Sequence, residues 1–292
     1  DEAWKQMTVE NTSELQFDQE FGNSFHGTGN TLISADVLLA LRSTEPQEYY
    51  NNVKIFDQPE EGHNYLMFVD VSRGRGQDYS TFTVIDVSCN PFVQVCTYRD
   101  NMISPLLFPD LLYKYAKHYN ECYVVVESND AGQVVCNGLY YELEYENVFV
   151  ESMIKANAIG VTMTSKVKRI GCSNLKTLIE NDKLIINDFD TISQLTTFVS
   201  SHSSFKAEEG ANDDIVMTLV MFAWMTTQQY FKEIVNHDLR KQMQLEMLNQ
   251  SDEEMPSFGI FDDGTDKNYI VEGGDVWMTK EDEKGPSTFF MN

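Results

Sequence analysis

The chain has 292 residues, and 42% of them are hydrophobic, which is enough for one large domain with appended segments. No apolar run approaches the ~20 residues that a membrane-spanning helix needs. The formal net charge is −25, which argues against a general nucleic-acid-binding protein because such proteins are normally basic. Any contact with nucleic acid must therefore be confined to a small basic strip and to metal ions.

The first 62 residues are polar and mixed, and we interpret residues 1–62 as a connector rather than a core. A short amphipathic helix is predicted over residues 14–25. Ser34 is placed to cap a second helix that runs through residues 37–41.

The character of the chain changes at Asn64, where three strand-length runs rich in β-branched and aromatic residues follow one another. Gly74 and Gly76 lie in the segment between the first and second runs, and Asn90 and Pro91 are predicted to form a turn between the second and third. Three strands joined in this way predict an antiparallel meander. The three runs are Leu66–Val71, Thr81–Val87 and Phe92–Tyr98.

The rest of the chain alternates predicted helices and strands. A helix over Leu106–Tyr119 precedes the apolar run Cys122–Glu127, which is typical of a strand buried on both faces. Further helices are predicted over residues 131–144, 168–180, 188–199 and 214–231, and short strands over residues 149–150 and 184–186. The fold class is therefore α/β, a mixed sheet flanked by helices over residues 63–236. Residues 237–292 are polar and acidic and are predicted to form a flexible tail.

Two carboxylates occupy positions where the apolar strand pattern disfavours charge. Asp70 lies inside the first run of the meander, and Glu127 ends the buried strand. A carboxylate in an apolar strand costs several kcal/mol unless its charge is compensated, and a divalent cation is a common solution. If the two strands are neighbours, ~4.8 Å apart, the two carboxylates can share a metal. Asp213 and Asp214, at the start of a later helix, can add a third ligand.

Oxygen ligands with few nitrogens or sulfurs favour Mg²⁺ or Mn²⁺. Two such ions about 3.5–4 Å apart can activate water and stabilise the leaving oxygen of a phosphodiester. We predict that Asp70 bridges the two ions and that Glu127 and Asp214, or Asp213, each hold one side. Along the chain, the acids occur as an Asp within a strand, a Glu at a strand end and an Asp at a helix start. This order resembles that of the catalytic acids in an RNase H-like (RuvC-like) nuclease. Each acid alone has a simpler interpretation as a turn, surface or helix-start residue.

The turn after Asp70 holds further candidates. Asp78 either supports the metal site from outside or is a turn residue, and Arg73 and Arg75 can contact phosphate. A basic segment, the densest in the middle of the chain, begins a later helix and is predicted to bind DNA, with an exposed helix face as the alternative. Its basic residues are Lys166, Lys168 and Arg169, with Lys176 two turns further on.

The cysteines and histidines show no metal-binding pattern in the sequence. The five cysteines include no CxxC pair and are interpreted as reduced thiols, most of them buried. The five histidines show no ligand spacing and are interpreted as surface residues, although His202 precedes the acidic pair closely enough to reach it.

Three segments resemble, in order, the nuclease motifs of large terminase subunits from tailed bacteriophages. Phe68–Ser80 is similar to the first motif, Val125–Asn129 to the second and Asn212–Met217 to the third. Lys166–Ile170 resembles the basic segment of the family. The resemblance covers roughly residues 14–235 and is closest to T-even-like phages. The family often places another acid where this chain has Met217. The choice between Asp213 and Asp214 therefore stays open, with Asp214 preferred.

The resemblance implies an endonuclease that uses two Mg²⁺ or Mn²⁺ ions to cut concatemeric viral double-stranded DNA during headful packaging. It implies the portal protein of the prohead and the small terminase subunit as partners. It places the protein in the host bacterial cytoplasm, transiently at the portal vertex, and not in the mature virion or a membrane. The sequence contains no GxxxxGKS or GxxxxGKT loop. Residues 1–62 would then connect to a missing N-terminal ATPase domain, and no ATPase activity is expected.

Two other functions fit the same residues. One is a different RNase H-like enzyme, such as a junction resolvase or an RNA–DNA hybrid nuclease. The other is a module without catalysis whose acidic tail docks on a basic partner such as a portal.

Overall fold

The structure is a computed structural model that describes residues 30–76, 78–151, 159–201, 204–229, 231, 269–272 and 275–278. The chain divides into two compact units, Asp1–Arg240 and Lys241–Asn292, and each is described by itself. The helix predicted over residues 14–25 and His202 lie outside the described residues.

The first unit is built on a mixed β-sheet. Its strands are β1 (Glu48–Tyr50), β2 (Val53–Ile55), β3 (Tyr65–Asp70), β4 (Ser80–Asp86), β5 (Phe92–Asp100), β6 (Tyr123–Val126) and β7 (Leu184–Ile185). The spatial order within the described residues is β1-β2-β5-β4-β3-β6, and β7 also pairs with β5. Strands β3, β4 and β5 form the predicted antiparallel meander.

Six α-helices accompany the sheet in the described residues of this unit. They are α1 (Ala35–Ala40), α2 (Phe108–His118), α3 (Gly132–Asn137), α4 (Ser165–Glu180), α5 (Phe189–Thr196) and α6 (Asp214–Met225). A π-helical turn, Gly138–Glu142, continues α3, and an antiparallel hairpin of β8 (Phe198–Ser201) and β9 (Ser204–Ala207) follows α5. Among the described helices, none has the length and apolar character that crossing a membrane requires.

The alternation of side chains along β3 divides the core into two layers. Leu66 and Phe68 pack with α4 and α6 on one face of the sheet. Met67 and Val69 pack with α2 and α3 on the other face. Because side chains alternate along a strand, Asp70 belongs to the face that carries α4 and α6.

The pairing of β3 with β6 determines where the strands end. The two strands are parallel, with Phe68 opposite Val125 and Val69 opposite Val126. The carboxyl ends of both strands therefore lie at the same edge of the sheet. The amide N–H of Glu127 continues the ladder and donates to the carbonyl oxygen of Val69 at 2.9 Å.

Helices α4 and α6 approach each other closely above this sheet. A Cβ atom on Gly171 of α4 would lie 2.4 Å from the carbonyl oxygen of Val220 in α6, so this contact requires glycine. Asn174 of α4 donates its amide N–H to the carbonyl oxygen of Ala223 at 2.8 Å. The start of α4 is fixed by Thr164, whose hydroxyl oxygen accepts from the N–H of Val167 at 3.2 Å.

The interpretation of residues 1–62 as no part of a core is wrong for the part that the structure describes. Strands β1 and β2 extend the sheet beside β5, and Leu32, Ile33 and Leu38 are buried in the core next to α6. Strands of three residues are too short to show a periodic pattern. Ser34 precedes α1 as predicted, but its side chain makes no capping hydrogen bond among the described residues.

Other differences concern helix ends. The helix predicted over residues 188–199 ends at Thr196, and the chain then turns back in the β8–β9 hairpin. The N-cap of α5 is Asp188, which accepts from the N–H of Thr191 at 3.0 Å. In the second unit, β10 (Tyr269–Glu272) and β11 (Asp275–Met278) form an antiparallel pair within the segment predicted to be flexible.

Candidate metal centre

The predicted acids converge at the edge where β3 and β6 end. Asp70 is the last residue of β3, and Glu127 directly follows β6. Asp214 is the first residue of α6, and Asp213 precedes it. The charges of Glu127, Asp214 and Asp213 all act on Asp70. The structure thus brings together four carboxylates that are far apart in the sequence.

The start of α6 is held in place by side chains from two other elements. Gln194 of α5 accepts, through its side-chain oxygen, the N–H groups of Ile215 at 2.9 Å and Val216 at 3.2 Å. The hydroxyl of Thr81 in β4 donates to the carbonyl oxygen of Asp214 at 3.2 Å. These bonds orient Asp214 toward the end of β3.

The pKa values of the acids reflect their crowding. Burial, followed by the charges of Glu127, Asp214 and Asp213, raises the pKa of Asp70 well above its usual range. Burial also raises the pKa of Glu127, and the nearby charge of Lys168 opposes this rise. Burial raises the pKa of Asp214 to about 6, against the opposing charge of Arg99. The cluster therefore carries more negative charge than its surroundings neutralise.

One carboxylate oxygen in this cluster is unsatisfied. Oδ2 of Asp214 is buried and has no hydrogen-bond partner among the described residues. The nearest ion-pair atom is Nη2 of Arg99 at 3.9 Å, which is too long for a hydrogen bond. A buried, unpaired carboxylate oxygen is costly, and a hard divalent cation is the ligand that this donor set fits.

The acids are nevertheless not placed for three of them to contact one ion. Within the described part of the chain, no three of these carboxylates have oxygen atoms that all lie within 4.8 Å of one another. Repulsion between like charges favours such a spacing when no cation lies between them. One ion cannot contact three of them in this arrangement without a small movement of their side chains.

Lys168 lies inside the acidic cluster rather than on an outer helix face. Its Nζ atom is 3.9 Å from Oδ2 of Asp213, and its side chain is 22% exposed. Asp213 also accepts from the N–H of Ala207 in β9 at 3.3 Å. Oδ2 of Asp213 thus accepts a hydrogen bond, whereas Oδ2 of Asp214 accepts none among the described residues.

The other predicted basic residues divide into exposed and paired side chains. Lys166, Arg169 and Arg75 are exposed. Arg73 binds Asp130 through two of its nitrogens, at 2.7 and 2.6 Å. Lys176 lies 3.6 Å from Glu180 on the outer face of α4. Asp78 is exposed, and its charge contributes to the raised pKa of Asp214, so this acid lies near the cluster.

Sequence reasoning missed two residues that support the site, Arg99 and Gln194. The guanidinium of Arg99 lies 3.6 Å from the centre of the Tyr79 ring and faces Asp214. For Arg99, the sequence offered one signal, which was a charged residue near the end of a strand. Gln194 had no signal, since its role depends on the packing of α5 against α6.

Comparison with known proteins identifies the family. The family model of the terminase RNaseH-like domain matches residues 67–228. The chain belongs to this family. The resemblance to large terminase subunits and the RNase H-like fold class are thereby confirmed.

Relatives of this terminase RNaseH-like domain include two large terminase subunits. That of Thermus virus P23-45 is 27% identical over 216 residues, and that of Thermus phage G20c is 26% identical over 221 residues. Each match covers 71% of this chain and 40% of the relative. The chain therefore spans less than half the length of these subunits.

Two crystal structures share the fold. Both are of the large terminase nuclease from thermophilic phage G20c, one with bound cobalt and one with bound magnesium. The first has a TM-score of 0.54 at 23% identity and the second a TM-score of 0.53 at 24% identity. Each match covers 68% of this chain and 98% of the G20c chain.

Proposed function

We propose that this chain contains the nuclease domain of a large terminase subunit and is a metal-dependent endonuclease. It would cut concatemeric viral double-stranded DNA during headful packaging. The observation that carries the proposal is the convergence of Asp70, Glu127 and Asp214 at one sheet edge, with raised pKa values and an unpaired buried oxygen on Asp214. The metal-bound nucleases of the G20c phage support it.

The proposed ligands are the four acids of the cluster. Asp70, at its centre, would hold divalent ions together with Glu127 and Asp214. Asp214 is preferred over Asp213, because Oδ2 of Asp213 already accepts from Ala207 and Oδ2 of Asp214 accepts no hydrogen bond among the described residues. Two bound Mg²⁺ or Mn²⁺ ions supply Lewis-acid activation of water and stabilisation of the leaving oxygen.

Arg99 and Lys168 keep the acids ready to bind cations. The charge of Arg99 lowers the pKa of Asp214, and the charge of Lys168 lowers that of Glu127. A carboxylate must be deprotonated to hold a metal, so both residues favour the binding-competent state. Lys168 is therefore assigned to the metal centre as well as to DNA.

DNA contacts are proposed for the exposed basic residues at the edge of the site. Lys166 and Arg169 lie on the first turns of α4, next to Lys168. Arg75 lies in the turn after β3. Arg73 and Lys176 are also proposed, although their acidic partners Asp130 and Glu180 must be displaced or shared. Because only a few such contacts are available, we expect the affinity of the isolated chain for the DNA phosphates to be low.

The remaining organisation is proposed from the family. The nuclease domain would comprise residues 63–236, of which 67–228 match the family model, together with the earlier segment that carries β1, β2 and the buried residues Leu32, Ile33 and Leu38. The residues that precede this segment would lead from an ATPase domain, and residues 237–292 would form an acidic tail. Portal protein and small terminase subunit are the proposed partners, with action in the host cytoplasm at the portal vertex. ATPase activity is not expected.

Digestion of a plasmid in Mg²⁺, Mn²⁺ or chelator tests the proposal. Asp70→Asn should reduce cutting by more than about 100-fold, because even groups that only support metal ligands contribute 10–100-fold. The matched control is Asp182→Asn, an exposed acid beyond the far end of α4 with φ of 53°, which asparagine tolerates. Mg²⁺-dependent cutting by Asp70→Asn at the parental rate would refute the assignment. A four-way junction and an RNA–DNA hybrid, cut in parallel, separate the alternatives.

A further inference from the structure

A second group of potential metal ligands lies at the other end of β3. His63 lies two residues before this strand, Asp86 ends β4, and Cys89 lies in the turn between β4 and β5. One ligand atom from each of the three lies within 4.8 Å of the others. Five residues of strand, about 17 Å, separate this end of β3 from Asp70. The group is therefore independent of the nuclease centre.

The backbone around these residues is held by hydrogen bonds from neighbouring segments. The N–H of Asn64 donates to the hydroxyl of Ser88 at 2.7 Å. The N–H of Ser88 donates to Oδ1 of Asp86 at 2.9 Å. The side-chain amide of Asn120 donates to the carbonyl oxygen of His63 at 3.0 Å. The ligand-bearing segments are thus positioned by the fold before any ion binds.

The charges in this group are unbalanced. Nδ1 of His63 lies 2.7 Å from Oδ2 of Asp86, and its Nε2 lies 3.4 Å from Oε2 of Glu60. One imidazole thus faces two carboxylates. The Asp86 side chain is only 9% exposed, so water neutralises its charge poorly. A divalent cation at this point would balance both acids.

The donor atoms indicate which ion fits. A thiolate sulfur, an imidazole nitrogen and a carboxylate oxygen form the mixed set that zinc prefers, whereas Mg²⁺ takes oxygen ligands. We propose that His63, Asp86 and Cys89 bind a zinc-class ion, with the fourth tetrahedral position left to water. The Cys89 thiol gives its proton to solvent on binding.

Binding requires a small rearrangement. Two ligands of one tetrahedral zinc ion lie about 3.3 Å apart, given bonds of about 2.0–2.1 Å. The 2.7 Å contact between His63 and Asp86 must therefore lengthen as the ion enters. The bound ion would connect the loop before β3 to the β4–β5 turn. Its role is then to stabilise the sheet at the end remote from the nuclease centre.

Cobalt titration of the full chain tests this site, because a thiolate bound to Co²⁺ gives a charge-transfer absorption that oxygen ligands do not. Cys89 is exposed and the other four cysteines are buried, so the absorption reports on Cys89. We expect the absorption to saturate at one Co²⁺ per chain in the parent protein and in Asp70→Asn. It should disappear in Cys89→Ser, and His63→Gln should weaken binding by about tenfold or more.

Zinc and thermal unfolding give a second readout. Zn²⁺ should raise the Tm of Asp70→Asn and leave the Tm of the double variant Asp70→Asn, Cys89→Ser unchanged, because only the first retains the site. Absence of the thiolate absorption in the parent, or its survival in Cys89→Ser, would show that His63 and Asp86 are only a structural hydrogen-bonded pair. DNA cleavage by Cys89→Ser should equal that of the parent.

Discussion

Arg99 opposes the rise that burial causes in the pKa of Asp214, the acid with an unpaired buried oxygen. Its guanidinium is fixed over the ring of Tyr79, and its Nη2 atom stays 3.9 Å from Asp214. At this distance it lowers the pKa of Asp214 by its charge without occupying the oxygen with a hydrogen bond. Arg99 is therefore a positioning residue that leaves its partner available to a cation.

Arg99→Gln should raise the pKa of Asp214 above its value of about 6 and weaken activity at low pH. The acidic limb of the pH–activity profile is expected to move to higher pH, and the Mg²⁺ requirement to rise about 10- to 100-fold. Rates measured from pH 5 to 8 over a range of Mg²⁺ concentrations check this. Arg42→Gln, at an exposed arginine, is the control. An unchanged profile in Arg99→Gln would mean that Arg99 does not act on Asp214.

The acids that converge in the structure could be singled out from the sequence, and the residues that support them could not. Asp70 and Glu127 stand out because charge interrupts apolar strands, and Asp213 and Asp214 because they open an apolar helix. The role of Arg99 depends on the pairing of β5 with β4, which no local pattern records. The sequence also indicated a DNA-binding role for Lys168 without indicating that its side chain reaches the acids.

At the scale of elements, α5 stabilises the start of α6. The first N–H groups of a helix have no partner within the helix, and Gln194 supplies one acceptor to two of them. Both donors belong to buried residues, Ile215 and Val216. A side chain from another helix thus takes the place of the usual local cap.

Gln194→Ala should lower the free energy of unfolding by about 1–3 kcal/mol, because two buried N–H groups lose their acceptor. The start of α6 should also move, which weakens metal binding by Asp214. Urea unfolding in chelator and a Mg²⁺ titration measure the two effects. Gln58→Ala, at an exposed glutamine, should change stability by less than about 0.5 kcal/mol. Equal stability of the two variants would show that the bonds of Gln194 contribute nothing.

The start of α3 packs directly on the end of β6. A Cβ atom on Gly132 would lie 1.7 Å from the carbonyl oxygen of Glu127, so the helix approaches the strand end as closely as a glycine allows. Gly132→Ala should therefore displace Glu127 and cost about 1–3 kcal/mol through overpacking. Chemical unfolding and the Mg²⁺ dependence of cutting check both consequences.

Val134→Ala, at an exposed position of the same helix, is the control for changes in α3 itself. If Gly132→Ala matched this control in stability and in Mg²⁺ dependence, the close contact would have no bearing on Glu127.

Elements with long apolar runs were predictable, and short or interrupted ones were not. The meander and β6 follow from runs of β-branched and aromatic residues, and their registers agree with the burial of β3. Strands β1 and β2 have three residues each. The β8–β9 hairpin was predicted in part as helix, because the apolar spacing of α5 continues to Val199. In the structure, Phe198 instead pairs with Ala207 in the antiparallel β8–β9 ladder, so the helix does not continue.

At the scale of the whole molecule, the acidic cluster links stability to pH. In the metal-free protein, the pKa values of Asp70, Glu127 and Asp214 lie above their ordinary values. The folded chain therefore holds protons that the unfolded chain has released. The contribution of Asp214 is complete below its unfolded pKa, near 3.8, and is lost as pH rises through its folded pKa, about 6.

Asp214→Asn should stabilise the metal-free protein above this window. A shift from 3.8 to about 6 corresponds to about 3 kcal/mol, so the variant should gain up to about 3 kcal/mol at pH 7.5 and little at pH 4. Urea unfolding in chelator between pH 4 and 8 measures this difference. Mg²⁺ should stabilise the parent more than the variant. Parallel pH curves for the two proteins would contradict the shifted pKa.

The parallel β3–β6 junction would make the proposed cutting conditional on a finished fold. Each strand belongs to a different part of the chain, and α6, which carries Asp214, arrives last in sequence. Until all three segments have docked, their acids are dispersed and cannot hold cations together. On the proposed function, a partly folded or newly synthesised chain would not cut DNA, and the onset of metal-dependent cutting would report that all three segments have docked.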